Sequence, residues 1–174
     1  LGHTKTIIGM VHLLPLPGSP DYRNNFAEVR QRALQDALNL AAGGIDGLLI
    51  QNRWDRATTK DAAWPETVAA MSLITQDIVR AVQTPVGVHI LRNDVIGSLA
   101  IAKVCGAHFI RATAVVGATY LAHGILEAQP EAIIRYQTRM NAQDVQILAD
   151  INSMHYRAVV PTPTAEIARQ AKAI

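Results

Sequence analysis

The chain has 174 residues, 49% of them hydrophobic and 17% charged, enough to bury roughly 70% of the surface that the unfolded form exposes. Its formal net charge of +2 comes from dispersed Lys and Arg, which excludes the concentrated basic face of a nucleic-acid binder. The single cysteine, Cys105, can form no internal bridge, and no apolar run approaches the ~20 residues of a membrane-crossing helix. One domain over residues 1–174 is expected. The sequence opens without a charged-then-apolar leader, so the expected location is the cytoplasm, with Cys105 packed as a reduced thiol.

Thr6 to Val11 reads as a first short strand. Pro15, Pro17, Gly18, Pro20 and Asp21 then stiffen a loop that continues neither regular structure. Asn25 as N-cap with Glu28 three residues on predicts a helix from Phe26 to Ala42, its apolar stripe formed by Val29, Ala33, Ala37, Leu40 and Ala41. Gly43 and Gly44 end it. Ile45 to Ile50 is the second strand, and Pro65 starts a second helix with the stripe Val68, Met71, Thr75, Ile78, Val79 and Val82. Val86 to Ile90 is strand three; Asp94 caps a third helix through Cys105, which Gly106 terminates in the left-handed region. Phe109 to Ala114 is strand four, Pro130 starts a fourth helix carrying Ile133, Tyr136 and Met140, and Val145 to Ile151 is strand five. Thr162 and Pro163 signal a last helix.

Strands alternating with helices imply parallel pairing, and hence either an open doubly wound sheet or a (β/α)8 barrel. In both, the strand exits share one face, where such folds keep their ligands. Those exits carry His12; Gln51 and Asn52; His89, Arg92, Asn93 and Asp94; Arg111 and Thr113; and Asp150, Asn152 and His155. No Gly-rich phosphate turn follows strand one, which speaks against dinucleotide binding.

Six stretches in order, IIGMVHLLPLPGSP, ALNLAAGGIDGLLIQN, PVGVHILRND, GAHFIRA, HGILEA and ILADIN, closely resemble the BtpA family over almost the whole chain. That family is named for a factor in photosystem I biogenesis and includes members encoded beside sugar-metabolism genes. The resemblance implies an α/β fold, a parallel TIM-like (β/α)8 barrel. A full barrel takes about 250 residues and eight units. This chain supplies about five, so a partial or truncated barrel is expected, completed by dimerisation unless the chain is a shortened product. Asn52, Arg92, Asn93, Asp94, Arg111, Asp150 and His155 match the family pattern. Gln51 and Thr113 depart from it, as do Leu121, Ala122, His123 and Gly124 as a group, and Met154, so that acid, base and cation give way to neutral groups.

Asn52, Arg92, Asn93, Asp94 and Arg111 are therefore read as binding a small polar, sugar-like or phosphorylated metabolite, with Asp150 and His155 as acid/base groups. The alternative is a non-catalytic assembly factor that uses the barrel as a docking body. Competing structural readings stand beside these: Asp94 as a cap, Arg111 and Asp150 as an ion pair, and Trp54 and Trp64 packing a loop on its helix. His12, His89 and His155 lack ligand spacing such as H-x-H and read as core histidines rather than a metal set. Reaction, substrate and cofactor are not specified by the sequence.

Overall fold

The computed structural model describes residues 5–56, 58–60, 62–121, 124–153 and 156–174. Four parallel strands first alternate with helices: β1 (Ile8–His12), α1 (Phe26–Ala42), β2 (Gly47–Gln51), α2 (Pro65–Ala81), β3 (Val86–His89), α3 (Val95–Cys105) and β4 (Phe109–Ala112). A short antiparallel pair follows, β5 (Ala118–Leu121) and β6 (Gly124–Glu127). Then come α4 (Pro130–Met140), β7 (Gln146–Ala149), β8 (Arg157–Ala158) and α5 (Thr164–Ala171).

The main sheet has the order β1-β2-β3-β4-β7. That order never reverses, and the first four helices pack in sequence, α1 on α2, α2 on α3 and α3 on α4. A doubly wound sheet needs a reversal to put helices on both faces. Here they stand side by side on one face, like consecutive staves.

Strand alternation assigns the two faces. Val11, Leu48, Ile50, Val86, Val88, Ile90, Ile110 and Ala112 share one core with Val29, Ala33 and Ala37 of α1, Met71, Ile74 and Ile78 of α2, and Leu99, Ile101 and Ala102 of α3. The residues between them, Met10 and His12, Leu49 and Gln51, Gly87 and His89, and Phe109 and Arg111, point to the opposite, helix-free face. On that face the lower positions are apolar and the last position of each strand is polar. Leu49 and Phe109 are buried there.

Local signals explain the helix limits. Asn25 accepts from the Glu28 N–H (3.2 Å) and Asp94 from the Gly97 N–H (2.7 Å), each satisfying a free amide of a first turn. Pro65 and Pro130 open α2 and α4, where the missing N–H costs nothing. Gly106 ends α3 at φ 76°. The last helix starts at Thr164, just after the expected Thr162–Pro163 signal.

Three expectations are corrected. β4 ends at Ala112, because the Asn93 side chain takes the amides of Thr113 and Ala114 that would otherwise extend the ladder. The link between β4 and α4, read as a loop, holds β5 and β6, which form with β8 a three-stranded sheet in the order β6-β5-β8. Its inner side buries Leu121 and Leu126 with Ala114, and Ala128 and Tyr156 pack against them. Trp54 and Trp64 are exposed rather than packed, Trp54 lying under the Arg53 guanidinium. Cys105 is half-buried, its thiol donating to the Ser72 carbonyl, and burial pushes its pKa up. Among the described residues no helix is long and apolar enough to cross a membrane.

Gly87 makes the helix-free face possible at β3. A Cβ there would lie 2.2 Å from the Phe109 ring, a carbon that this ring already occupies. Gly87→Ala is expected to cost about 1–3 kcal/mol by overpacking. Urea unfolding should show it, with part of the loss recovered in Gly87→Ala combined with Phe109→Leu.

Candidate active site at the strand exits

The last polar residues of the strands are joined by hydrogen bonds from one strand to the next. His12, at the end of β1, is the register partner of Gln51 at the end of β2. The Gln51 amide nitrogen meets His89 Nδ1 at 2.9 Å. His89 Nε2 lies 3.3 Å from Thr113 Oγ1, which donates to the Arg92 carbonyl at 2.8 Å. Gln51, His89 and Thr113 are all buried, and a buried polar group without a partner is costly, so the chain holds together as a unit.

The direction of this chain follows from its last member. A carbonyl oxygen only accepts, so the Thr113 hydroxyl proton points at Arg92. His89 must then donate from Nε2, and its Nδ1 accepts from the Gln51 NH2 group. His89 is thereby a neutral Nε2–H tautomer. Burial, and after it the Arg111 charge, lowers its pKa to about 4.

Three of the residues read as ligand-binding hold the rim in shape. Asn52 is 2% exposed; its oxygen accepts from the Leu91 N–H (2.8 Å) and its nitrogen donates to Asp55 (3.1 Å). Asp55 also accepts from the Leu16 N–H at 2.8 Å, so the loops after β1, β2 and β3 meet at one point. Burial raises the Asp55 pKa, against the pull of these two bonds. Asn93 accepts from the amides of Thr113 and Ala114 and donates to the Ala114 carbonyl. Asp94, besides capping α3, accepts from the Ala63 N–H at 2.8 Å. Sequence reasoning found these residues through their polarity, and the cap reading of Asp94 is observed.

Arg111 and Asp150 form a bidentate pair, Nε to Oδ1 at 2.9 Å and Nη2 to Oδ2 at 2.7 Å, both partly buried. The bond to Asp150 holds the Arg111 pKa above its usual value. Arg92 differs. Half-buried, its guanidinium has no hydrogen bond or ion pair among the described residues, yet its charge reaches His89. His155 lies outside the described residues. Sequence reasoning missed the linking role of Gln51 and Thr113, although both were visible as departures from the family pattern. Among the described residues no group of three His, Cys, Asp or Glu side chains is placed to hold a metal.

Beside Thr113 and Asp150 a groove of about 720 Å³ opens. Its walls come from the backbone after β4, from Ile151 and Asn152 after β7, and from Tyr156 and the segment leading to Thr164.

A pH effect follows from His89. Its folded pKa is depressed from 6.5 to about 4, so the unfolded chain binds more protons than the fold between those values. Stability therefore falls as pH drops through that window, by about 3 kcal/mol for this group. His89→Gln should lose much less stability than the unsubstituted chain when urea unfolding at pH 7 is compared with pH 4. Equal losses would show that His89 is not the titrating group.

Comparison with known proteins places this arrangement. The chain is 41% identical over 151 residues to the photosystem I biogenesis protein BtpA of Synechocystis, covering 87% of this chain and 52% of that protein. It is 38% identical over 151 residues to an uncharacterized Archaeoglobus fulgidus protein, covering 87% and 60%. The chain thus spans little more than half the length of these relatives. Among solved structures, 7,8-dihydropteroate synthase from Vibrio fischeri superposes with a TM-score of 0.61 at 12% identity, over 97% of this chain and 55% of that one. That likeness is one of fold, of the TIM-barrel type. The BtpA family model matches residues 3–173, and the chain belongs to the BtpA family.

Proposed function

We propose that the strand exits bind a small polar metabolite, sugar-like or phosphorylated, and that the protein is an enzyme or a former enzyme acting on it. The observation that carries this reading is the row of polar groups at the ends of five strands, beside a groove of about 720 Å³. Arg92 is a cation of this rim with no hydrogen bond or ion pair to its guanidinium among the described residues. Arg111 can meet an anion only by sharing or releasing Asp150, and Asp150 can take a proton only on the same condition. The pair therefore acts as one unit, with Asp150 and His155 as the acid/base groups and Asn52, Asn93 and Asp94 setting the rim's shape.

The test is a thermal-shift and NMR screen with inorganic phosphate, simple sugars and sugar phosphates. At least one sugar or sugar phosphate should bind, and Arg92→Ala and Arg111→Ala should each weaken it about 10- to 100-fold, the size of a lost charge-assisted bond. If neither substitution alters any response, the assignment fails.

A second reading, a docking body for assembly, is favoured by the exposed pair Tyr120 and Ile125, directly opposite each other on β5 and β6. Together with the Synechocystis relative's name, it supports a protein partner. Binding of one stoichiometric partner that is lost in Tyr120→Lys and unchanged in Asp150→Asn would favour this reading over the first.

We also propose that the five strands are part of a barrel whose inner face and outer strands β1 and β7 are covered by self-association, in the cytoplasm. Supporting this are the unreversed strand order and the partly exposed Ile8, Met10 and Leu148. Sedimentation of the 174-residue chain should show a dimer or larger species; a stable monodisperse monomer would contradict it.

A further inference from the structure

The groove beside the rim carries its charge unevenly. Asp150 lies on its wall, whereas Arg92 and Arg111 do not, and among the described residues the wall holds no lysine or histidine. Arg157 of β8 is on the wall as well. It pairs with Tyr120 of β5, and strand alternation turns that pair to the outer side, where Tyr120 is 63% exposed and stands clear of the groove. The neighbouring pair, Thr119 and Ala158, faces the other way and lines the groove. The charge nearest to a groove ligand is thus the Asp150 carboxylate. We propose that the groove takes a neutral sugar rather than a phosphorylated one, and that Asp150 is the acceptor that recognises its hydroxyls. This deepens the reading of the rim as a ligand site and rests on it.

Asp150 is fixed by its backbone and by Arg111. Its N–H donates to the Ala112 carbonyl at 2.9 Å, which continues the pairing of β4 with β7. Arg111 occupies one position on each carboxylate oxygen, at 2.9 and 2.7 Å, and each oxygen keeps a second lone pair. The side chain retains 18% exposure. A ligand hydroxyl can therefore donate to Asp150 without displacing Arg111. A phosphate in the same place meets a like charge first, in a partly buried position where screening by salt is weak. It reaches Arg111 only by displacing Asp150. The remaining wall suits a sugar ring. Val116, Ile151, Ile167 and the Tyr156 ring are partly buried and offer apolar surface to ring C–H groups, while Thr113 and Asn152, which follow the same two strands, add polar atoms beside Asp150. A volume of about 720 Å³ lies within the about 300–1,000 Å³ usual for small-molecule sites.

The experiment titrates the protein at pH 7 with neutral hexoses and pentoses, each beside its phosphate ester, and with inorganic phosphate, and follows the backbone amides of Ala114, Ile151 and Asn152 by NMR. At least one neutral sugar should bind about tenfold or more tightly than its ester, the size of a lost charge-assisted bond. Asp150→Asn removes the negative charge and leaves Arg111 without its counter-ion. The affinity for that sugar should then fall about 10- to 100-fold while inorganic phosphate binds about tenfold more tightly, so that the preference inverts. Ile167→Trp, which fills the apolar part of the groove and leaves Asp150 with Arg111, should weaken the sugar about tenfold or more. The comparison of each sugar with its ester needs no variant, so it decides the proposal whether or not Asp150→Asn folds.

A phosphate ester that binds at those amides as tightly as its parent sugar overturns the proposal, as does a neutral sugar whose affinity is unchanged in folded Asp150→Asn or folded Ile167→Trp. The two readings fail separately. Phosphate esters bound through Arg92 and Arg111, with no neutral sugar bound, remove only this proposal, whereas a rim that answers none of the probes removes the ligand site and this assignment with it.

Discussion

The structure of the rim depends on one constraint: polar side chains at buried strand ends must find partners among themselves. Parallel strands in unbroken order bring one polar residue from each strand into a row about one strand spacing apart. Gln51, His89 and Thr113 are each 5% exposed or less, so water is not the alternative partner. The result is a chain of bonds that crosses three strands and is anchored on a backbone carbonyl that cannot reverse its role.

The same constraint explains why residues that look like ligand contacts are busy elsewhere. The loops that leave β2, β3 and β4 must be ordered without regular pairing, and Asn52, Asn93 and Asp94 accept the backbone amides that those loops leave free. Asn52 joins the loop after β2 to the exit of β3; Asn93 joins that exit to the start of the segment after β4. An ordered rim is the prior condition for a site in which Arg92, Arg111 and Asp150 keep fixed positions.

Much of this was legible in the sequence where the signal is local. Asn25, Asp94, Pro65, Pro130 and Gly106 act on the backbone within a turn of where they stand, so the helix limits could be read from them. The apolar stripes of α1 and α2 are likewise buried where periodicity put them, at Val29, Ala33, Ala37, Met71, Thr75 and Ile78. The antiparallel β5 and β6 were not legible. Each is four residues long with only two residues between them, and Gly117 and Gly124 at positive φ look in a sequence like ordinary loop residues. In the site, charge could be read and commitment could not. The pairing of Arg111 with Asp150 had been an open alternative, and nothing in the residue types distinguished that arginine from Arg92, whose guanidinium has no partner among the described residues.

Gln51 shows how much a neutral residue can decide. An amide has a donor end, so at position 51 it can give a proton to the buried imidazole of His89. A carboxylate at position 51 could only accept. It would require His89 to present its proton on Nδ1, and Nε2 would then have to receive a bond from Thr113. The Thr113 hydroxyl has one proton, now given to the Arg92 carbonyl, so that carbonyl would lose its partner. The alternative is a charged His89 with protons on both nitrogens, which burial beside Arg111 and Arg92 opposes. Gln51, His89, Thr113 and the Arg92 carbonyl are therefore one interdependent set, and the neutral amide is the member that lets the buried histidine remain uncharged.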